Sequence, residues 1–76
     1  MVKFVTEPSR WSASQTIRYI EIFGKEDDAE IFLKEVIIKE NISHHYIDNT
    51  YYINHDHDYY YLKRKYRDWK IKQILD

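Results

Sequence analysis

The residues of this chain that could most readily bind a metal or take part in catalysis lie in the segment Asn54-His55-Asp56-His57-Asp58. Two histidines one residue apart on an extended chain project to the same side, and nearby carboxylates could complete a zinc, nickel or manganese site. His44 and His45 could approach this segment through a hairpin. The spacing differs from that of structural zinc sites, however. We therefore expect a polar turn whose Asn and Asp side chains bond local backbone groups, with no metal bound.

The same histidines are the best candidates for catalysis. His55 and His57, together with Arg64, could supply general acid-base chemistry and phosphate stabilisation in a small nuclease. The chain has no Cys nucleophile, and its single glycine, Gly24, excludes a Gly-rich phosphate loop. A chain of 76 residues seldom builds a substrate cleft, so we predict a protein that is not an enzyme and uses no cofactor.

Basic and aromatic side chains are concentrated near the C-terminus. Residues 59–76 contain six Lys or Arg and two Asp, a local charge of +4, although the whole chain has a net charge of -1. Tyr, Trp and Arg combine a large contact area with polar groups, which suits a protein interface. We therefore predict a small regulatory or inhibitory protein that docks onto a larger protein. The predicted contact residues are Tyr59, Tyr61, Arg64, Tyr66, Arg67 and Trp69.

Nucleic acid is the alternative partner. Cations that face phosphates and aromatic rings that stack on unpaired bases are typical of several single-strand binders. This interpretation adds the lysines Lys63, Lys65, Lys70 and Lys72. A strand would divide the cations between two faces, whereas a helix would align Lys63, Arg67 and Lys70 in one stripe. Residues 21–41 oppose nonspecific attraction to nucleic acid, because seven acids and three lysines give them a net charge of -4.

Length and composition define the kind of protein. The chain has room for one compact domain, residues 1–76, and its 43% hydrophobic and 17% aromatic content is too rich for a disordered tail. The absence of Cys argues against a disulfide-stapled secreted domain. No apolar run approaches the roughly 18 residues of a membrane span, and the N-terminal segment lacks a signal-peptide core. We therefore expect a cytoplasmic protein without a membrane partner.

A helix over residues 27–41 is the element that the sequence predicts most directly. Asp27 and Glu30 have capping-box spacing, and the acids of the first turn suit the helix dipole. The apolar stripe consists of Ala29, Phe32, Leu33, Val36 and Ile37. Ile31 and Ile38 lie off this stripe, so they either contact a second copy in a homodimer or are covered by a helix sunk deeply against the sheet.

The segment before this helix is ambiguous. Residues 3–6 predict a strand, and residues 16–23 are rich in the β-branched and aromatic residues that strands prefer. Ser12 and Gln15 nevertheless have capping-box spacing, which leaves a helix over residues 12–23 as the alternative. We favour the strand. Trp11 precedes this segment in a predicted loop, and we expect its indole to close one end of the core, with an exposed anchor as the alternative.

Shorter periodicity follows the helix. Residues 44–47 and 50–53 flank Asp48-Asn49, which favours a hairpin with a two-residue turn. Residues 59–66 and 69–75 predict two more strands. The expected fold is therefore α+β, with one main helix packed on a small antiparallel β-sheet and a C-terminal β-meander. The alternative for the last pair is a terminal helix capped by Asp58, because Tyr59, Leu62, Tyr66 and Trp69 also fit one helix face.

Overall fold

The computed structural model of the protein describes residues 1–12 and 14–75, which form a four-stranded antiparallel sheet and two helices. In chain order, the elements are β1 (Val2–Pro8), β2 (Thr16–Ile22), α1 (Asp28–Lys39), β3 (His44–Ile47), β4 (Thr50–Ile53) and α2 (Asp56–Leu75). The strand order across the sheet is β1-β2-β4-β3. The α+β class predicted from the sequence is confirmed.

The hydrophobic core lies between one face of the sheet and both helices. Ile20 in β2 is fully buried and is paired across the strands with Phe4 of β1 and Tyr51 of β4. Leu33 of α1 and Leu62 of α2 are also fully buried in the same cluster. The two helices therefore share one face of the sheet and leave its other face uncovered within the described residues.

β2 resolves the ambiguity before α1 in favour of a strand. It pairs with β1 along its whole length, from Val2 opposite Ile22 to Pro8 opposite Thr16. Gln15 does not cap a helix; its backbone N–H donates to the Ser12 carbonyl oxygen at 3.1 Å within the β1–β2 connection. The indole of Trp11 in this connection is 94% exposed, so the expected core role of Trp11 is wrong.

α1 begins where its cap predicts and ends two residues early. The Asp27 carboxylate accepts a hydrogen bond from the Glu30 N–H at 3.0 Å, which satisfies a donor of the first turn. The left-handed conformation of Asn41, with φ of 53°, ends the helix, and the Ile42 N–H bonds back to the Ile37 carbonyl oxygen. Ile38 is 78% exposed, so α1 is not sunk deeply enough to cover it.

The hairpin of β3 and β4 has the predicted boundaries. Its two turn residues, Asp48 and Asn49, have φ values of 50° and 59°. These positive angles match the turn whose twist suits a two-residue hairpin, and Asp and Asn tolerate them better than most residues. Local turn chemistry therefore sets the register of this pair.

The predicted C-terminal β-meander is wrong, because residues 56–75 form the single helix α2. Tyr59 and Leu62 are buried, and Tyr66 and Trp69 continue the same inner side at helical spacing. The helix begins at Asp56, two residues before the predicted cap. No Gly or Pro interrupts the segment, so the helix continues through residues 67–68, where the meander required a turn.

Neither helix described in residues 1–12 and 14–75 has the length and apolar character needed to cross a membrane.

Candidate functional site

A groove lies along α2 and reaches Phe4 of the edge strand β1. It has a volume of about 450 Å³. The lining residues are Phe4, Tyr60, Lys63, Arg64, Tyr66, Arg67 and Lys70. Tyr60, Lys63, Arg67 and Lys70 follow one another at intervals of three or four residues, so the helix places them along one side. We call this feature the basic groove.

The floor of the basic groove is aromatic and fixed by packing. Phe4 and Tyr66 are both partly buried, and their ring centroids lie 5.4 Å apart. Phe4 also meets the buried Tyr59 edge to face at 5.8 Å. The Lys70 ammonium lies 5.9 Å from the Tyr66 ring centroid, within cation–π range. The floor is therefore an apolar surface that is held in place before any ligand arrives.

The rim carries a concentrated positive charge. Lys63, Arg64, Arg67 and Lys70 are all exposed, and none of the described residues that line the groove is acidic. Among the described residues, the only ion pair to these four cations joins Arg67 Nε to Asp68 Oδ1 at 3.8 Å. Both partners of this pair are exposed, and such a pair contributes only about 0–1 kcal/mol. The four cations thus remain available to an anionic group.

Arg18 of β2 fixes the end of the groove at Tyr60. Its guanidinium carbon lies 5.6 Å from the Tyr60 ring centroid, and its Nη1 donates to Asp56 Oδ1 at 2.5 Å. The Tyr60 side chain is the largest influence that raises the pKa of the Arg18 guanidinium; partial burial opposes this effect, and Asp56 adds a smaller increase. Arg18 therefore stays charged and holds the Tyr60 ring, which is 52% exposed, at the mouth of the groove.

The structure divides the residues that the sequence predicts for a protein partner. Arg64, Tyr66 and Arg67 line the basic groove. Tyr59 is 1% exposed and belongs to the core. Tyr61 packs against the core on another side of α2, where the Lys65 ammonium lies 5.5 Å from its ring centroid.

Trp69 lies between the two helices. Its ring stacks on Phe32 of α1, with centroids 5.4 Å apart and an interplanar angle of 19°. The Tyr66 ring is a second neighbour of the indole, with centroids 6.0 Å apart and an interplanar angle of 24°. Trp69 thus braces α1 against α2 and does not line the groove.

The residues of the nucleic-acid alternative are also divided. Lys63 and Lys70 line the basic groove, whereas Lys65 faces a hollow beside α1 and Lys72 is exposed away from the groove lining. The sequence favoured strands here; the helix α2 aligns Lys63, Arg67 and Lys70 along one side, as expected for the helical alternative. Two lining residues were not predicted. Tyr60 could have been found from its helical spacing to Lys63, but Phe4 enters through a contact distant in sequence.

The histidines do not converge on one site. The rings of His55 and His57 stack with centroids 5.6 Å apart, and His44 Nδ1 lies 2.8 Å from the Ile42 carbonyl oxygen. Residues 1–12 and 14–75 contain no group of three or more His, Cys, Asp or Glu side chains placed to hold a metal ion. We therefore take the basic groove as the candidate functional site.

Comparisons with protein-family models, with curated proteins and with solved structures find no significant match to this chain.

Proposed function

We propose that this chain is a small non-catalytic protein that binds a larger protein through the basic groove, with regulation or inhibition of that partner as the result. The ligand is a segment of the partner that combines acidic side chains with an apolar anchor. The observation that carries this proposal is the placement of four available cations around an aromatic floor.

The two parts of the groove contribute in different ways. Burying one leucine-sized side chain against Phe4 and Tyr66 contributes about 1.5–3 kcal/mol, and each exposed ion pair contributes about 0–1 kcal/mol. Neither contribution alone gives a specific complex. Together they select a segment that is apolar and acidic, and the cations also speed its approach.

The packing of the aromatic rings favours protein over nucleic acid. Stacking of successive bases needs several open ring faces, but Tyr66 is partly covered by Phe4, Trp69 and the Lys70 ammonium, and Trp69 is stacked on Phe32. Tyr60 is 52% exposed, but the Arg18 guanidinium already lies over its ring. The cations from Lys63 to Lys70 cover only about 10 Å of helix. The chain as a whole carries a charge of -1, which does not favour nonspecific attraction to a polyanion.

A selection from a random peptide display library tests this proposal. The folded full chain serves as bait, and enriched peptides are then titrated against Arg67→Glu and against Lys25→Glu, a matched charge reversal at an exposed residue outside the groove lining. We expect peptides rich in Asp or Glu with an apolar residue. Their affinity should fall about tenfold or more in Arg67→Glu, because charge reversal replaces attraction by repulsion, and less than about twofold in Lys25→Glu.

Two results would contradict the proposal. Enriched peptides without an acidic bias, or equal losses in the two variants, would show that the groove does not direct binding. A single-stranded oligonucleotide that binds more tightly than the peptides, with steep salt dependence and sensitivity to Arg67→Glu, would assign the groove to nucleic acid instead.

A further inference from the structure

We infer that the basic groove receives its partner as an added β-strand, paired with the outer edge of β1. This inference rests on the proposed function and specifies its ligand. The ligand is an extended segment in which every second side chain, on the face toward the groove, is acidic or apolar.

β1 has the length and regularity that strand addition needs. It occupies one end of the strand order β1-β2-β4-β3 and contains seven residues. Its only proline, Pro8, is its last residue, so no proline interrupts the edge before that point. Natural edge strands are usually shortened, bulged, charged or covered to prevent such pairing. The charged residues of β1, Lys3 and Glu7, have odd numbers and therefore lie on the sheet face opposite Phe4 and the groove.

The hydrogen-bond pattern identifies the backbone groups that point outward. The Phe23 N–H donates to the Met1 carbonyl oxygen at 2.8 Å, and the Ser9 N–H donates to the Gln15 carbonyl oxygen at 2.9 Å. These bonds show that the odd-numbered residues of β1 form the hydrogen-bonded pairs with β2. Because bonded and non-bonded pairs alternate in an antiparallel ladder, the outward N–H and C=O groups of β1 belong to Val2, Phe4 and Thr6.

The same alternation links this edge to the cations of α2. Phe4, an outward-bonding residue, is also the β1 residue in the groove floor, so β1 presents its even-numbered side chains toward the helices. A strand added about 4.8 Å beyond β1 would place every second side chain over this face, with a repeat of about 7 Å. Successive cations of α2 rise by about 4.5–6 Å, a comparable spacing for pairing with acidic side chains.

The other edge of the sheet does not offer the same environment. β3 has four residues, and the hollow beside it contains one cation, Lys34. The Lys34 ammonium already pairs with Glu26 at 2.8 Å and with Glu30 at 3.0 Å. An acidic strand should therefore pair with β1, because β1 is the longer edge strand and lies near more available cations than β3 does.

Two synthetic peptides of identical composition provide the test. One carries Glu and Val in turn at every second position, with Thr between them, so that acidic and apolar side chains share one face of the strand. The other groups the same residues into a Glu block, a Val block and a Thr block. Each is titrated into the isotope-labelled full chain, and amide exchange is followed residue by residue. We expect the alternating peptide to bind more tightly and to slow exchange of the Val2, Phe4 and Thr6 amides about tenfold or more. The amides of Lys3, Val5 and Glu7 already face β2 and should change far less.

A matched pair of variants tests the same backbone contact. Thr6→Pro removes an outward N–H and should weaken the alternating peptide about tenfold, whereas Thr6→Val keeps this N–H and should not. Urea unfolding identifies any loss of fold in Thr6→Pro, and the exchange measurement on the native chain remains decisive in that event.

The outcomes separate this inference from the proposed function. If both peptides bind equally, lose affinity in Arg67→Glu and leave the Val2, Phe4 and Thr6 amides unchanged, the groove binds acidic segments but strand addition is refuted. If neither peptide binds up to its solubility limit, strand addition by an acidic segment is refuted. If the peptides bind the Arg67→Glu variant as tightly as the native chain, binding does not use the basic groove and the proposed function is refuted.

Discussion

Replacement of Leu62 by Ala tests the helical packing of α2, on which the basic groove depends. Leu62 has no exposed surface and lies in the core cluster with Ile20 and Tyr59. A buried Leu→Ala change costs about 2–5 kcal/mol, from lost burial and from the cavity that remains. At about 0.05–0.15 kcal/mol per residue, 76 residues correspond to a total stability of only about 4–11 kcal/mol. A loss of about 3 kcal/mol would lower the melting temperature by about 12–24 °C.

Urea unfolding followed by circular dichroism measures this loss, with Arg64→Ala as the matched control. In α2, positions 62 and 64 lie on different sides, and Arg64 is exposed. Arg64→Ala should therefore change the free energy of unfolding by less than about 0.5 kcal/mol. In a strand, both residues would face the same way. Similar losses in the two variants, or a loss below about 1 kcal/mol for Leu62→Ala, would refute the helical packing.

Three further changes test other parts of the fold by the same assay. Asp27→Ala removes the N-cap of α1 and should cost about 1 kcal/mol, whereas Asp28→Ala should cost less. The Met1 ammonium and then the Glu30 N–H lower the pKa of Asp27 in the folded state. The contribution of Asp27 to the free energy of unfolding is therefore fully present above its unfolded-state pKa and is lost as the pH falls through its lower folded-state pKa. A stability loss in Asp27→Ala that stays the same in acid would contradict this linkage. Asn49→Val places a β-branched residue at positive φ and should cost about 1–2 kcal/mol, with Thr50→Val, at an adjacent strand position, as a milder control. Trp69→Ala should destabilise the fold by about 1–3 kcal/mol, because the Trp69 ring is partly buried against Phe32, whereas Trp11→Ala should have an effect below about 0.5 kcal/mol; equal effects would contradict their different burial.

Local signals in the sequence predict much of the fold. The Asp27 cap, the apolar stripe of α1 and the Asp48-Asn49 turn each act over a few residues, and the structure contains all three. The C-terminal segment was harder to assign because Tyr, Trp and Ile favour strands by propensity, whereas their three- and four-residue spacing favours a helix. The helix is favoured because it buries Tyr59 and Leu62 against the sheet. Secondary-structure propensity alone does not include the free energy of this tertiary packing.

The candidate site was predictable only on its helical side. The cations of residues 63–70 were identified from the sequence, and their alignment followed once the segment was helical. Phe4 could not be assigned to the floor, because its contact with Tyr66 depends on the placement of β1 and α2 relative to each other. Trp11 shows the converse: its size favoured a core role, but the β1–β2 connection carries it beyond the packed layers.

A residue-resolved NMR titration of the full chain with the alternating peptide tests most directly whether the basic groove binds an acidic protein segment. We expect the largest chemical-shift changes at Phe4, Lys63 and Arg67, along the basic groove. They should be lost in Arg67→Glu and kept in Lys25→Glu. Changes centred on the uncovered sheet face, at Tyr19 and Tyr52, or an absence of saturable changes would contradict the claim that this groove binds an acidic protein segment.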